Sequence, residues 1–172
     1  QKAVNLISPT TLNDIWPRHF ADSAQLASLL PENSTIADLG SGGGFPGMVI
    51  AILRPDIKMH LIESDSKKSE FLKNVSRETG IIVSIHNDRV EKILKTLAPD
   101  IITARAFAPL IEILKMIPEN CKKTEMLLLK GKTALEEIET AKKKFSFNVK
   151  MLPSVTSGEA HILKISPESH PL

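Results

Sequence analysis

The chain has 172 residues, of which 42% are hydrophobic, and a formal net charge of +2 at pH 7. This length and composition predict a single domain over residues 1–172 with one well-buried core, while so small a charge does not by itself indicate a nucleic-acid-binding protein. A single cysteine excludes an internal disulfide, histidine and cysteine show no metal-ligand spacing, and no apolar run approaches the roughly 18 residues of a membrane span.

Residues 1–34 are predicted to form a helical lead-in. Apolar residues recur there at helical spacing and predict a helix that packs on the following sheet: Ile15, Trp16, Phe20, Ala24 and Ala27. The chain begins with Gln1 in a segment that resembles the middle of a longer one, so we expect an N-terminal piece to be absent. The start shows no signal-peptide pattern, which together with the lone cysteine favours a cytoplasmic protein.

Residues 35–166 are predicted to form an α/β core. Short β-branched or aliphatic runs alternate with stretches of helical period, which is typical of a parallel sheet covered by helices. The predicted strands are Thr35–Leu39, Met59–Glu63, Ile82–His86, Asp100–Thr103, Met126–Leu129, Phe147–Leu152 and His161–Ile165. Only eight residues, 153–160, separate the last two strands. That is too few for a helical crossover, so these strands either pair antiparallel or are not neighbours.

The turn after the first predicted strand is rich in glycine and reads "ADLGSGGGFPG", Ala37 to Gly47. Gly42, Gly44 and Gly47 form a G-x-G-x-x-G, and Glu63 follows about 20 residues later, so the dinucleotide-binding fingerprint is formally satisfied. Pro46 is predicted at the first position of the helix that follows the turn, and Pro55 is predicted to end that helix.

Two features of this turn oppose a dinucleotide. Asp38 is expected to place a carboxylate near the phosphates, and Pro46 removes an N–H group from the helix start. S-adenosylmethionine has no phosphate and carries cationic sulfonium and ammonium groups, so the same carboxylate attracts it. Gly40, Gly42 and Gly44 let the backbone approach this cofactor closely, and Glu63 can accept hydrogen bonds from its ribose. For Asp38, a helix-capping or turn role stays equally open.

The region after the fourth predicted strand bears on the methyl acceptor. It reads "TARAFAPL", Thr103 to Leu110, where amino methyltransferases tend to carry an Asn/Asp-Pro-Pro-aromatic run, and Cys121 is not placed as a nucleophile. An acceptor whose own lone pair attacks needs no general base, and guanine N7 is such a nucleophile. We therefore expect no catalytic residue beyond those that position the two substrates.

Several motifs then stand in an order and spacing found together in one known family. They are "RHFADS" (Arg18 to Ser23), "DLGSGGGFPG" (Asp38 to Gly47), "RPD" (Arg54 to Asp56), "RVE" (Arg89 to Glu91), "ARAFAPL" (Ala104 to Leu110) and "LLKGK" (Leu128 to Lys132). This set resembles the bacterial 16S ribosomal RNA (guanine-N7) methyltransferases, the RsmG or GidB family.

The resemblance implies a class I S-adenosylmethionine-dependent methyltransferase fold, Rossmann-like, with a mostly parallel seven-stranded sheet and a C-terminal antiparallel hairpin. It also implies a cytoplasmic enzyme, expected to be a monomer without membrane attachment, that methylates N7 of a guanine in the 530 loop of small-subunit ribosomal RNA. Members of the family usually carry a further N-terminal helical segment before the residues that correspond to Asn5 and Leu6, and we expect that segment to be missing here.

The resemblance places cofactor contacts on Gly40, Phe45, Val90, Glu91 and Arg105, which join Asp38, Gly42, Gly44 and Glu63 from the charge argument. The candidate RNA contacts are Arg18, Lys67, Lys68, Phe107, Lys130 and Lys132. Alternatives stay open: a surface salt bridge for Arg105, and core packing for Phe107.

Competing functions are a methyltransferase of the same fold that acts on a small molecule or a protein, an NAD-dependent oxidoreductase, and an RNA-binding module without catalysis. The absence of tyrosine removes the Tyr-Lys acid/base pair of one large dehydrogenase group.

Overall fold

The computed structural model describes residues 14–166, which form a central sheet flanked by helices. The strands are β1 (Thr35–Leu39), β2 (Lys58–Ile62), β3 (Ser84–His86), β4 (Ile101–Arg105), β5 (Glu125–Lys130), β6 (Asn148–Pro153) and β7 (His161–Ser166). The sheet has seven strands in the order β3-β2-β1-β4-β5-β7-β6. The first five strands run parallel, whereas β7 pairs antiparallel with both β5 and β6. The predicted fold class is therefore confirmed, including the closing hairpin.

The α-helices are α1 (Asp22–Ala24), α2 (Gly47–Leu53), α3 (Ser66–Thr79), α4 (Val90–Leu94), α5 (Leu110–Met116) and α6 (Ala134–Lys142). Helix α2 ends at Leu53, before Pro55 as predicted, but Pro46 is its N-cap rather than its first residue. Helix α3 begins where the Asp65 carboxylate accepts hydrogen bonds from the backbone N–H groups of Lys67 and Lys68.

Strand β3 is shorter than predicted. Pairing with β2 begins at Ser84, and Ile82, which the sequence assigns to this strand, is 94% exposed. Because β3 lies at the sheet edge, an apolar residue before its first pair has no neighbouring strand to cover it.

Alternate residues of the inner strands pack on opposite faces of the sheet. Ala37 and Leu39 belong to the core on one face, and Ile36 belongs to the core on the other. Helices cover both faces of a parallel sheet, which explains why its strands read as continuous apolar runs.

The lead-in is continuous helical structure that changes its winding. A π-helical turn over Trp16–Ala21 precedes α1, and a 3-10 turn over Gln25–Leu29 follows it. The buried positions of this segment are His19, Ser23 and Leu26. The predicted packing face is wrong at Trp16, which is 71% exposed, because the wider π-helical winding shifts side chains away from a 3.6-residue period.

Arg54 holds the end of the lead-in against the sheet. Its Nη1 donates hydrogen bonds to the carbonyl oxygens of Ala27 (2.8 Å) and Leu30 (3.1 Å), and its Nη2 lies 2.7 Å from Asp56 Oδ2. The "RPD" motif is therefore structural in this fold. It fixes the end of the lead-in at the amino edge of the sheet, just before β1 and β2 begin.

Strands β1 and β4 are neighbours, although α2, β2, α3, β3 and α4 lie between them in the chain. A crevice opens at such a switch point, beyond the carboxyl ends of the two strands. Among residues 14–166, no helix is long and apolar enough to cross a membrane, and no group of three or more metal-ligating side chains occurs.

Candidate functional site

A cavity of about 840 Å³ opens at the carboxyl edge of the sheet. This cavity, the larger of two that adjoin at this edge, has a volume within the roughly 300–1,000 Å³ range of small-molecule sites. Its walls are the turns after β1, β2 and β4 and the start of α4. The predicted site residues that line it are Gly40, Gly42, Phe45, Glu63, Lys68, Val90, Glu91, Arg105 and Phe107. The structure thus brings together most of the predicted cofactor contacts, whereas Asp38 and Gly44 do not line the cavity.

Asp38 lies beneath the glycine loop. Its side chain is fully buried, Oδ2 accepts a hydrogen bond from the Gly47 N–H at 3.2 Å, and Oδ1 accepts one from Thr103 Oγ1 at 2.9 Å. Burial raises the pKa of this carboxyl to about 6, and both hydrogen bonds oppose the shift. These contacts are those of the turn and helix-capping role that the sequence left open.

The position of Asp38 changes the reason why the loop disfavours pyrophosphate. The carboxylate is not in the crevice, but it uses the Gly47 N–H at the start of α2, and Pro46 has none. Two of the backbone donors that a dinucleotide site directs at phosphate are therefore unavailable.

Close packing explains two of the loop glycines. Gly40 has φ +61°, and a Cβ at this position would lie 2.2 Å from Phe107 Cδ2. A Cβ at Gly47 would lie 2.4 Å from Leu61 Cδ2 and 2.7 Å from Asp38 Oδ2. The ring of Phe107 therefore rests on the backbone of the glycine loop, where it both packs and lines the cavity.

Glu63 follows β2 and fastens two turns to each other. Its Oε2 accepts a hydrogen bond from the Gly42 N–H (2.9 Å), and its Oε1 accepts one from the Asp65 N–H (2.8 Å). Only 7% of the residue is exposed, and it lines the cavity. An ionised carboxylate offers about four acceptor sites, so two remain for ligand hydroxyl groups.

Arg105 stands at the end of β4 and reaches the lead-in helix. Nη1 donates a hydrogen bond to the Arg18 carbonyl oxygen at 2.8 Å, Nη2 contacts His19 Nδ1, and the guanidinium lies 5.2 Å from the Phe45 ring centroid. Burial lowers the pKa of Arg105, and Asp22 and Asp38 oppose the shift. Its Nε is buried and has no hydrogen-bond partner within residues 14–166.

An aromatic cluster connects this arginine with the protein surface. The Phe45 ring lies 5.2 Å from the His19 ring and 5.1 Å edge-on from the Phe20 ring, and Phe20 lies 4.6 Å from Trp16. Burial and the neighbouring Arg105 lower the pKa of His19, although Asp22 opposes them. The neutral imidazole can then accept a hydrogen bond from the guanidinium.

The start of α4 forms another wall of the larger cavity. Val90 is buried, Glu91 is exposed, and the Asp88 carboxylate accepts a hydrogen bond from the Arg89 N–H at 2.8 Å. An apolar side chain beside a backbone turn suits the flat face of a nucleobase.

A smaller cavity of about 430 Å³ adjoins the first. The two cavities share the turn after β4, which contributes residues 105–108. The other walls of the smaller cavity include Asp22 of the lead-in, Lys130 and Gly131 after β5, Glu137 of α6, and Ala160 before β7. This second space lies on the side of the sheet where the antiparallel hairpin is attached.

The candidate RNA contacts differ in their exposure and in whether their side chains already bind another part of the fold. Lys67 and Lys132 are exposed, Arg18 is exposed near Asp14, and Lys68 lines the larger cavity. The Lys130 ammonium is 2.8 Å from Glu137 Oε2 and donates to the Ala108 carbonyl oxygen at 2.6 Å. Lys130 is therefore already engaged within the fold.

The sequence does not predict the contacts between Asp22 and the loop that joins β6 and β7. Asp22 stands inside the motif "RHFADS", so the residue can be singled out from the sequence, but the direction of its side chain cannot. Ser154 and Thr156, which contact Asp22, are common loop residues and give no signal of their own.

A protein-family model described as "rRNA small subunit methyltransferase G" (GidB) matches residues 1–165. The ribosomal RNA small subunit methyltransferase G of Methylobacterium sp. (strain 4-46) is 39% identical over 178 residues, covering 100% of this chain and 84% of that protein. The protein of the same description from Parvibaculum lavamentivorans is 42% identical, covering 96% of this chain and 76% of that protein. A SAM-dependent methyltransferase from Aquifex aeolicus shares the fold, with TM-score 0.67, 13% identity, and coverage of 93% and 98%.

Proposed function

The chain belongs to the rRNA small subunit methyltransferase G family, GidB, and from this membership we propose how its site methylates ribosomal RNA. The protein is an S-adenosylmethionine-dependent methyltransferase that modifies guanine N7 of 16S ribosomal RNA. We propose that the acceptor lies in the 530 loop, and that residues 1–172, of which the structure describes 14–166, form one methyltransferase domain acting as a cytoplasmic monomer.

The larger cavity fits the cofactor. Only glycine leaves room beside Phe107 at position 40, so the loop backbone itself forms the floor of the cavity. The buried Arg105 Nε is an unused donor at the same edge within the described residues, suited to an anionic group. S-adenosylmethionine supplies a methyl group on a cationic sulfonium.

The proposed contacts divide the cofactor among three walls. Gly40, Gly42 and Phe45 hold the methionine portion, with Arg105 at its carboxylate, and Glu63 accepts hydrogen bonds from the ribose. Val90 and Glu91 flank the adenine. Gly44 and Asp38 act indirectly: Gly44 has φ +91° in the turn, and Asp38 fastens the turn to α2 from below.

The chain's own residues contribute position rather than proton transfer. Guanine N7 attacks with its own lone pair and loses no proton in the step, so a general base is not required. Phe107 lines both cavities, and we propose that its ring packs beside the base that receives the methyl group, leaving N7 in contact with the methyl donor. Lys67, Lys132 and Arg18 are exposed, and each is the chain neighbour of a residue that lines one of the two cavities. They are proposed to bind RNA phosphates, while Lys68 borders the cofactor.

The observation that carries this function is the family match over residues 1–165, joined to a cavity built from the same motifs. Calorimetry with S-adenosylhomocysteine and with NAD is expected to show binding of the first only. Transfer of a labelled methyl group is then measured on free small-subunit ribosomal RNA, partly assembled particles, complete subunits and a small-molecule extract. Methylation in an RNA fraction supports the proposal; binding of NAD alone, or transfer only to the extract, overturns it.

A further inference from the structure

The smaller cavity contains a carboxylate with no assigned role, that of Asp22. Asp22 belongs to α1, and the cavity also includes the turn after β4 and Lys130 at the end of β5. At about 430 Å³ the space is large enough for a nucleobase, and the shared turn puts it next to the larger cavity.

Asp22 is held through one of its two oxygens. Its Oδ1 accepts hydrogen bonds from Gln25 Nε2 (2.8 Å), Ser154 Oγ (3.1 Å) and Thr156 Oγ1 (3.0 Å). Two of these donors come from the loop between β6 and β7, more than 130 positions away in the chain. Within residues 14–166, Oδ2 makes no hydrogen bond, so the carboxylate is fixed in orientation while one oxygen stays available.

The other carboxylate of the cavity is already in use. Glu137 Oε2 accepts hydrogen bonds from the Leu110 N–H (2.7 Å) and Lys130 Nζ (2.8 Å), and its Oε1 accepts one from Thr133 Oγ1 (3.1 Å). Of the two carboxylates in this cavity, only Asp22 therefore has an oxygen that accepts no hydrogen bond among the described residues, although its charge also interacts with Arg105.

We propose that Asp22 recognises the acceptor guanine in the smaller cavity, an inference that rests on the proposed function. Guanine carries adjacent donors on its Watson–Crick edge, N1–H and the 2-amino group, and an ionised carboxylate is an acceptor only. Adenine presents an acceptor at N1, which this carboxylate repels. With its Watson–Crick edge at Asp22, the base directs the opposite edge, which carries N7, away from Asp22 and towards the larger cavity.

The reaction also moves positive charge onto the base that Asp22 is proposed to bind. The N7 lone pair forms the new N–C bond, the C–S bond breaks, and its electron pair stays on sulfur. The sulfonium thereby becomes a neutral thioether, and the purine becomes a cation with a more acidic N1–H. A carboxylate at N1–H stabilises this cation more than the neutral base, so its interaction strengthens as the methyl group is transferred.

Asp22→Asn is the sharpest test, because the amide oxygen keeps the three donors at Oδ1 and an NH2 group replaces Oδ2. Methyl transfer to small-subunit ribosomal RNA is expected to fall at least about 100-fold, since donor then faces donor. S-adenosylhomocysteine affinity should change less than about twofold, and the melting temperature should stay close to that of wild type. Glu159→Gln removes an exposed carboxylate from the same hairpin loop and should leave transfer unchanged.

A second measurement separates recognition from a structural effect. Small-subunit ribosomal RNA is ligated with inosine, which lacks the 2-amino group, at the acceptor position. Wild type should lose at least about tenfold in rate on inosine, whereas Asp22→Asn should show little further loss.

Transfer by Asp22→Asn within threefold of wild type, or an equal inosine effect in both proteins, overturns the inference while the proposed function stands. Failure of wild type to methylate any RNA form overturns the proposed function itself.

Discussion

The two cavities at the carboxyl edge of the sheet are held together by different kinds of contact. The larger cavity is fastened mainly by buried carboxylates that accept hydrogen bonds from the backbone of its own turns: Asp38 from the Gly47 N–H, nine positions on, and Glu63 from the Gly42 N–H. One side-chain pair, Asp38 with Thr103, supports them from below. The smaller cavity depends on side-chain pairs from segments far apart in the chain, such as Asp22 with Ser154.

This difference separates two tasks. A turn fixed by buried carboxylates and glycines is rigid before a ligand arrives, which suits a cofactor that is the same in every cycle. A cavity closed by the lead-in helix depends on how that helix sits on Arg105 and on the hairpin loop. Displacement of the lead-in would open the acceptor side. The cofactor side would lose the contacts that His19 and Arg105 make there, and would keep the turns that Asp38 and Glu63 fasten.

Gly40→Ala should damage the larger cavity most. The new Cβ meets the Phe107 ring at 2.2 Å, and φ +61° adds backbone strain of about 1–3 kcal/mol. Because the loop or the ring must shift into the cavity, we expect S-adenosylhomocysteine affinity to fall at least about 100-fold by calorimetry. Gly158→Ala is the matched control, since a Cβ there meets nothing within 4 Å. Equal affinities for both variants would contradict the close packing of Phe107 on the loop.

Arg105→Ala should affect both cavities, since Arg105 lines each of them. We expect methyl transfer to fall about 100-fold and stability to fall by about 1–2 kcal/mol, because the hydrogen bond to the Arg18 carbonyl oxygen and the His19 contact are lost. The contact with the lead-in is the reason why removal of this arginine is expected to lower stability as well as activity.

Arg105→Lys supplies the control for charge. A lysine keeps the positive charge but cannot reproduce the planar fork that reaches two groups at once. It should therefore recover part of the cofactor affinity and little of the stability. An Ala variant with unchanged affinity and an unchanged unfolding curve would exclude Arg105 from the site.

Asp38 makes the cofactor side sensitive to pH. The pKa of its carboxyl is about 6 in the folded protein against an ordinary value of 3.8, so the folded state binds more protons between these values. Stability contributed by this group is therefore highest below about pH 4 and falls by about 3 kcal/mol as pH rises through 6.

Asp38→Asn removes this titration. The difference in unfolding free energy between wild type and variant, measured by urea denaturation from pH 4 to pH 7, should fall over that window and be flat above it. Taking the difference cancels groups such as Asp56, whose pKa is lowered by its pairing with Arg54 and which acts in the opposite direction. A difference that rises with pH would contradict the buried placement of Asp38.

Most of the residues predicted to bind the cofactor line the larger cavity, because the sequence features that point to them are local. A glycine run, a strand-end glutamate and an arginine after β4 each follow a strand, and parallel strands bring their carboxyl ends to one edge. Two side chains lie where residue spacing does not predict them. Asp38, a candidate ligand contact, is fully buried beneath the glycine loop, and Trp16, predicted to pack on the sheet, is 71% exposed. Side-chain direction depends on the turn and on helix winding, which residue spacing does not specify.

The smaller cavity could not be predicted in the same way. The contact of Asp22 with Thr156 needs the register of the hairpin β6–β7 and the position of the lead-in together. No periodicity within either segment encodes the distance between them. The sequence predicts a helical lead-in and a C-terminal hairpin, but only the structure shows that the two are in contact.

The smallest expected effect distinguishes two lysines that stand two positions apart after β5. Lys130 is paired with Glu137, and only 10% of its side chain is exposed, whereas Lys132 is exposed and makes no ion pair within residues 14–166. Lys132→Gln should lower affinity for small-subunit ribosomal RNA about three- to tenfold and reduce the slope of log K against log salt by about 0.7–0.9. Lys130→Gln should mainly lower stability, because it leaves Glu137 without its cation. Lys58→Gln, at the opposite edge of the sheet where β2 begins, is the control for simple loss of charge. An equal change in slope for Lys58→Gln would mean that RNA responds to net charge alone, and the phosphate surface would then not be confined to the edge where the two cavities open.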